Sequence, residues 1–265
     1  MKRSIAISGT TGFIGKNLVE FCVKNGTSFV PITRTDFQRK NLLAVQKCFC
    51  FVHLVGIGAQ SNKNNFQDAN VELTKKAIEI CKKSKIKKII YFSGLGASKN
   101  SKSAYFISKF KAEQIIINSE IDYTIFRPSY IIGKDDYLTK NIQKQIRKKK
   151  ILIPGSGKYI LQPISIHDVC KIIHIALNSK KFSKKIIDLV GPEKISFLEF
   201  IKNSIQNSNI KIEKIPIKKT YTRALNDRKF AYGIEDLNIL FGNFQGNYKK
   251  LQKMSGIKFT KIRKI

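Results

Sequence analysis

At 265 residues the chain can bury one large core, or one domain with a small lobe beside it. Its formal net charge of +32 comes from 50 Lys and Arg against 18 Asp and Glu, with Lys scattered in short groups such as Lys82-Lys83 and Lys148-Lys149-Lys150. Aromatic residues do not alternate with those groups as in a base-stacking platform, so the charge reads as solvated surface with a weak pull toward an anionic membrane face, and specific nucleic-acid binding is excluded.

In chain order, residues 4–8 (SIAIS) are a short apolar strand, followed by GTTGFIG and a helix, KNLVEFCVKNG. In that helix Leu18, Val19, Phe21, Cys22 and Val23 recur at helical spacing until Gly26 stops it. SFVPIT and CFCFVHLVG read as the second and third strands, NVELTKKAIEICKKSK as a helix and KKIIYFSG as a fourth strand. SAYFISKFKAEQIIINS is a helix and DYTIFRPSYIIG a fifth strand. Strands that are apolar throughout and alternate with helices mark an α/β fold, a doubly wound parallel sheet covered on both faces. Beyond Gly133 the texture changes. NIQKQIRKKK is a polar helix, ILIPGSGKYILQPIS an irregular turn-rich piece, HDVCKIIHIALNS a helix and KKIIDLVGPE a sixth strand. SFLEFIKNSIQN, IKIEKIPI and a polar helical tail close the chain. Residues 1–133 read as a core of alternating strands and helices; residues 134–265 read as the remaining strand plus a small C-terminal lobe, continuous with it.

The five cysteines, Cys22, Cys48, Cys50, Cys81 and Cys170, form no Cys-x-x-Cys pair and each has apolar neighbours. Buried thiols in a reducing cytoplasm are expected, with at most a peripheral association with a membrane. MKRS leads straight into the first strand without a signal-like apolar region, and no run of about 18 apolar residues suggests a membrane span. No His, Cys or carboxylate grouping has metal-site spacing, and His174, in an apolar helical run, reads as structural.

Gly9, Gly12 and Gly15 form Gly-x-x-Gly-x-x-Gly between a strand and a helix. The first permits a tight turn, the second lets a pyrophosphate approach the backbone, and the third lets helix and strand pack closely. The helix start then offers N–H groups to the phosphates, so Gly9, Thr11, Gly12, Phe13, Ile14 and Gly15 are the candidate cofactor loop.

SGTTGFIG, FVHLVG, YFISK, IFRPSYIIG, QPISIHDV and LVGP occur in an order that resembles the extended or atypical short-chain dehydrogenase/reductases. The chain looks closest to the branch holding the dehydrogenase-like accessory subunit of respiratory complex I. The resemblance covers roughly residues 4–200 and fades after Phe200. It implies a Rossmann fold with bound NAD(H) or NADP(H). It does not imply turnover, because some members of the branch hold the nucleotide as a structural ligand. Three readings stay open: an NAD(P)-binding oxidoreductase-like protein of the accessory type with weak turnover, a sugar-nucleotide epimerase, dehydratase or reductase, and a redox-sensing regulator with a protein partner.

The end of the second strand meets the adenosine ribose in such folds, where an acid favours NAD and an Arg accommodates the 2′-phosphate of NADP. Here PITRTD places Thr33 and Arg34 at that point and Asp36 two residues late, so NADP(H) is favoured over NAD(H). The resemblance puts the backbone of Leu54, Val55 and Gly56 beside the cofactor ribose and Pro128, in Arg127-Pro128-Ser129, against the nicotinamide. Asn70 reads either as a support for the strand below the active site or as a helix N-cap, and Asp168 as a cap or first-turn charge.

Tyr105 and Lys109, four apart, share one helical face, and a nearby ammonium together with a cationic nicotinamide favours the phenolate needed for proton transfer. The family adds a second hydroxyl at the strand end to hold the substrate oxygen. This chain has Ser93-Gly94 there, so Ser93 is the remaining candidate and the substrate-holding half of the site is altered. Ser98, Ser101 and Ser103 on the following loop are alternatives that no spacing separates. A diphosphate-binding lobe would need arginines, and Arg223, Arg228 and Arg263 are the late candidates.

Overall fold

The computed structural model describes residues 4–39, 42–62, 64–205 and 209–262. Five strands alternate with helices through the first half: β1 (Ser4–Ser8), α1 (Phe13–Lys24), β2 (Phe29–Ile32), β3 (Cys48–His53), α2 (Leu73–Lys83), β4 (Lys88–Phe92), α3 (Ala104–Ile117) and β5 (Asp122–Pro128). The second half adds β6 (Ile131–Ile132), α4 (Tyr137–Arg147), β7 (Lys150–Pro154), β8 (Ile160–Leu161), β9 (Ile164–Ser165), α5 (Ile166–Asn178) and β10 (Lys185–Leu189). It ends with β11 (Ile195–Ser196), α6 (Phe197–Ser204), β12 (Lys211–Ile215), α7 (Ile217–Asn226), α8 (Ile234–Phe241) and α9 (Tyr248–Ser255).

Six strands form one parallel sheet in the order β10-β5-β4-β3-β1-β2. The alternation of side chains explains why these strands are apolar throughout. Ile5, Ile7, Cys50, Val52, Ile90 and Phe92 face a core shared with α1, α5 and α9. Ala6, Phe51, Ile89 and Tyr91 face a second core against α2 and α3. Pro31 is tolerated because β2 is an edge strand. All five thiols are free and buried, and burial pushes Cys22 and Cys48 up to about 11 and Cys50 and Cys170 up to about 12. No described helix is long and apolar enough to cross a membrane.

The order of the sheet reverses between β1 and β3, which creates a crevice at their carboxyl ends. A third core, including Leu138, Ile153, Phe197, Phe200, Tyr232 and Leu237, belongs to the second half of the chain.

Two expectations change here and a third is narrowed. The piece read as irregular contains β7, which pairs in parallel with β12, more distant in sequence than a local pattern reveals. Asn70 caps no helix: it lies inside a π-helical stretch, Gln67–Glu72, that runs directly into α2. Ser165 caps α5 and Asp168 stands in its first turn, the second of its two readings; buried there, it also accepts hydrogen bonds from the backbone N–H (2.7 Å) and hydroxyl (3.2 Å) of Thr260, tying down the C-terminal tail.

Candidate active site

The glycine loop is shaped by close approach. Gly9 has φ +74°, and a Cβ there would stand 3.0 Å from the Leu54 carbonyl carbon, so the turns after β1 and β3 are in contact. At Gly15 a Cβ would stand 2.1 Å from the Gly9 oxygen, and only glycine lets α1 start there. Gly12 differs: the nearest atom to its Cβ position is the Gly9 oxygen at 3.4 Å, which leaves room beside it. No side chain caps α1 and its first turn carries no acid, so its N-terminal N–H groups and dipole remain available to an anion.

Gly56 marks a second cradle. A Cβ there would meet the Lys109 Nζ at 2.8 Å and the Asn70 Oδ1 at 2.9 Å. Asn70 accepts from the Ile57 N–H (2.9 Å), donates to the Ile57 carbonyl (3.2 Å) and donates to Ser108 on α3 (2.9 Å). It therefore fixes the loop after β3 against the helix that carries Tyr105 and Lys109. Lys109 donates to the Phe92 carbonyl at 3.0 Å, and burial lowers its ammonium to about 8, with Glu113 opposing. Its Nζ lies 5.9 Å from the Tyr105 ring centre. Burial, and secondarily the Glu235 carboxylate, pushes the Tyr105 phenol up to about 12. The phenol is thus a proton donor at neutral pH.

Tyr105, Pro128, Gly56, Phe13 and Ile14 line one cavity of about 640 Å³, and Gly94 borders it too. Ser93 does not line it. Its Oγ is buried and makes no hydrogen bond among the described residues, while its N–H bonds the Phe126 carbonyl. The space in which a residue-94 side chain would sit is filled. A Cβ on Gly94 would lie 2.8 Å from Phe106 Cε1, and the Phe106 ring packs edge-on against Phe244 at 4.9 Å.

Arg34 stands apart from this cavity and donates to Asn64 Oδ1 at 3.0 Å. Asp36 folds back on the same turn. It accepts from the Thr33 N–H (2.8 Å) and hydroxyl (2.6 Å) and pairs with Arg39 (3.2 Å). Of the late arginines, Arg223 lies over Phe230 and near Asp227, neither Arg223 nor Arg228 lines the cavity, and Arg263 is outside the described residues. Among the described residues no group of three His, Cys, Asp or Glu is placed to hold a metal ion.

Sequence reasoning passed over three supports. His53 is fully buried, bonded through Nδ1 to Ser8 (2.8 Å) and through Nε2 to Thr74 (3.3 Å), and burial lowers it to about 3, so it is neutral. Its signal was a lone imidazole in an apolar strand. Glu113 and Arg127 form a two-point ion pair, 2.8 and 2.6 Å, joining α3 to β5. Glu235 on α8 accepts from Ser103, the N-cap of α3, at 2.6 Å. These last two had no local signal, since their partners lie elsewhere in sequence.

Residues 5–189 match the NAD dependent epimerase/dehydratase family. The chain belongs to that family. Among curated relatives it is 27% identical over 214 residues to the Arabidopsis thaliana mitochondrial NADH dehydrogenase [ubiquinone] 1 alpha subcomplex subunit 9, covering 71% of this chain and 53% of that one. It is 21% identical to the Neurospora crassa mitochondrial NADH-ubiquinone oxidoreductase 40 kDa subunit, over 71% of this chain and 55% of the other. The chain thus spans about half the length of the curated relatives it matches. Among solved structures, MoeE5 in complex with UDP-glucuronic acid and NAD has the same fold, with a TM-score of 0.75 at 15% identity over 98% of this chain and 95% of that one.

Proposed function

We propose that the protein binds one NAD(P)(H) per chain and holds it with little or no turnover, as an accessory-type member of its family. The observation that supports this most directly is the pairing of two cradles, Gly12 at the uncapped start of α1 and Gly56 under Lys109, on adjoining loops. The loop of Gly9, Thr11, Gly12, Phe13, Ile14 and Gly15 would hold the pyrophosphate, and Leu54, Val55 and Gly56 would pass the ribose. Lys109 would bond the nicotinamide ribose, with Pro128 against the ring. When bound, the nicotinamide supplies hydride chemistry. Tyr105 can then give a proton from a phenol held protonated, while Gly94 leaves no side chain to fix the acceptor oxygen.

Arg34 supports a preference for NADP(H): it is exposed just beyond β2 and, among the described residues, held only by the neutral Asn64 (3.0 Å), whereas the carboxylate of Asp36 is engaged by Thr33 and the cation of Arg39. The cationic surface and five free thiols fit a reducing compartment beside an anionic membrane.

The test is titration with NADPH and NADH of native protein and Gly12→Val. A Cβ at residue 12 meets nothing closer than 3.4 Å, so the turn accepts a side chain there, and valine's methyls are expected to fill the pyrophosphate position; the melting temperature of the variant checks its fold. Expected is saturable binding lost in the variant; unchanged affinity refutes the reading.

A further inference from the structure

The cavity extends past Tyr105 toward the C-terminal lobe, where it changes character. Leu95, Phe106, Leu161, Ile239, Leu240 and Phe244 line this end. Although the chain carries 50 Lys and Arg, none of the residues lining the cavity is a Lys, Arg or His. The ionisable acids that line it, Asp136 and Asp236, are occupied. Asp136 accepts from the N–H groups of Thr139 (2.9 Å) and Gly133 (3.2 Å) at the start of α4. Asp236 accepts from the Gly233 N–H (2.8 Å) and the Tyr137 hydroxyl (3.0 Å).

A nucleoside diphosphate placed here would lose the hydration of its charges with no lining cation to replace it, and would face two carboxylates. What remains to recognise a ligand is apolar surface, the hydroxyls of Tyr105, Tyr130 and Ser129, and the amide of Asn141, which also donates to the Ala231 carbonyl (2.7 Å). Tyr105 and Tyr130 both line the cavity, and neither hydroxyl is hydrogen-bonded to a described residue.

We propose that the lobe end of this cavity binds an uncharged, predominantly apolar small molecule that carries a single carbonyl or hydroxyl oxygen, and that it rejects nucleotide sugars. The oxygen takes its hydrogen bond from the Tyr105 hydroxyl, and the hydrocarbon part lies against Leu240 and Phe244. A cavity of about 640 Å³ shared with the nicotinamide end leaves space for a molecule of this kind. The proposal rests on the dinucleotide reading only for the position of Tyr105 in the site; the apolar lining stands without it.

Calorimetry on NADPH-saturated and on dinucleotide-free protein tests this, with methyl nonyl ketone and UDP-glucose as probes. The ketone saturates one site per chain, and UDP-glucose gives no binding up to about 1 mM, the upper end of ordinary substrate affinities. Tyr105→Phe weakens the ketone about five-fold, the loss of one neutral hydrogen bond. Ile239→Arg, at a partly exposed position, weakens it ten-fold or more, with the melting temperature and dinucleotide affinity as controls for folding. UDP-glucose binding native protein more tightly than the ketone overturns the proposal, as does ketone binding that neither substitution weakens. Should Ile239→Arg not fold, the ketone against UDP-glucose comparison on native protein still decides. Should no dinucleotide bind, the function proposed above falls, while the ketone arm on dinucleotide-free protein still tests the cavity.

Discussion

Restoring a hydroxyl at residue 94 is the sharpest probe of why the site should be slow. In Gly94→Ser the new Cβ would lie 2.8 Å from Phe106 Cε1 and 3.1 Å from Cδ1. The ring has little room to retreat. It packs against Phe244 at 4.9 Å and the Tyr105 ring at 5.0 Å, and Gly96 offers only the space that Phe244 already uses. Serine alone should therefore cost about 1–3 kcal/mol as an overpacked core and push Tyr105 out of line, with no gain in rate. Gly94→Ser combined with Phe106→Leu should relieve the clash, a coupling of about 1 kcal/mol or more between neighbours. Holding the acceptor oxygen can then raise carbonyl reduction by up to about 10²-fold. The assay is NADPH oxidation with simple ketones, beside thermal unfolding of the single and double variants. Gly94→Ser melting like the native protein would refute the steric argument. Ordinary native turnover that depends on Tyr105 would refute the view that the missing hydroxyl limits the site.

Four further outcomes are expected. Gly15→Ala, which drives a Cβ to 2.1 Å from the Gly9 oxygen, should unfold at a clearly lower temperature, whereas Gly12→Val should melt normally and lose only dinucleotide binding. Arg34→Ala should weaken NADPH about ten-fold and leave NADH unchanged, as loss of a charge-assisted contact worth about 1.5–3 kcal/mol requires; equal affinities in native protein would refute it. Glu113→Ala should cost about 3–5 kcal/mol by orphaning Arg127, read by chemical denaturation. Lys109 is lowered to about 8 from 10.5, so the unfolded chain holds more protons between those values and native stability should rise with pH across that window; Lys109→Met should flatten that rise, stabilise the ligand-free protein at pH 7 and abolish dinucleotide binding.

The parallel sheet was legible because its strands are buried on both faces and its helices carry their own period. The glycine loop was legible because Gly15 is demanded by a backbone contact within the loop itself, with Gly9, and Gly9 by its own positive φ. Contacts made across the fold were not. β7 needed β12, Asp168 needed Thr260, and Glu113 needed Arg127. The missing hydroxyl at residue 94 could be read from the sequence, but its cause could not. The rings that fill the space come from α3 and from Phe244, far along the chain.

The two ends of the cavity rest on different kinds of structure. Backbone turns after β1, β3 and β4 build the end proposed for the dinucleotide, and glycines specify them by what a Cβ would strike. Side chains of the C-terminal lobe build much of the other end, and they can be exchanged without moving a turn of the sheet. This separation lets the overall fold persist at 15% identity to a structure in complex with UDP-glucuronic acid and NAD. The ends are not independent, however. Glu235 holds the N-cap of α3, and Phe244 packs on Phe106 of the same helix. Because α3 also carries Tyr105 and Lys109, a ligand seated against the lobe bears through these two contacts on the residues proposed to face the nicotinamide. Occupancy of one end should therefore alter affinity at the other, and by linkage the effect must be reciprocal.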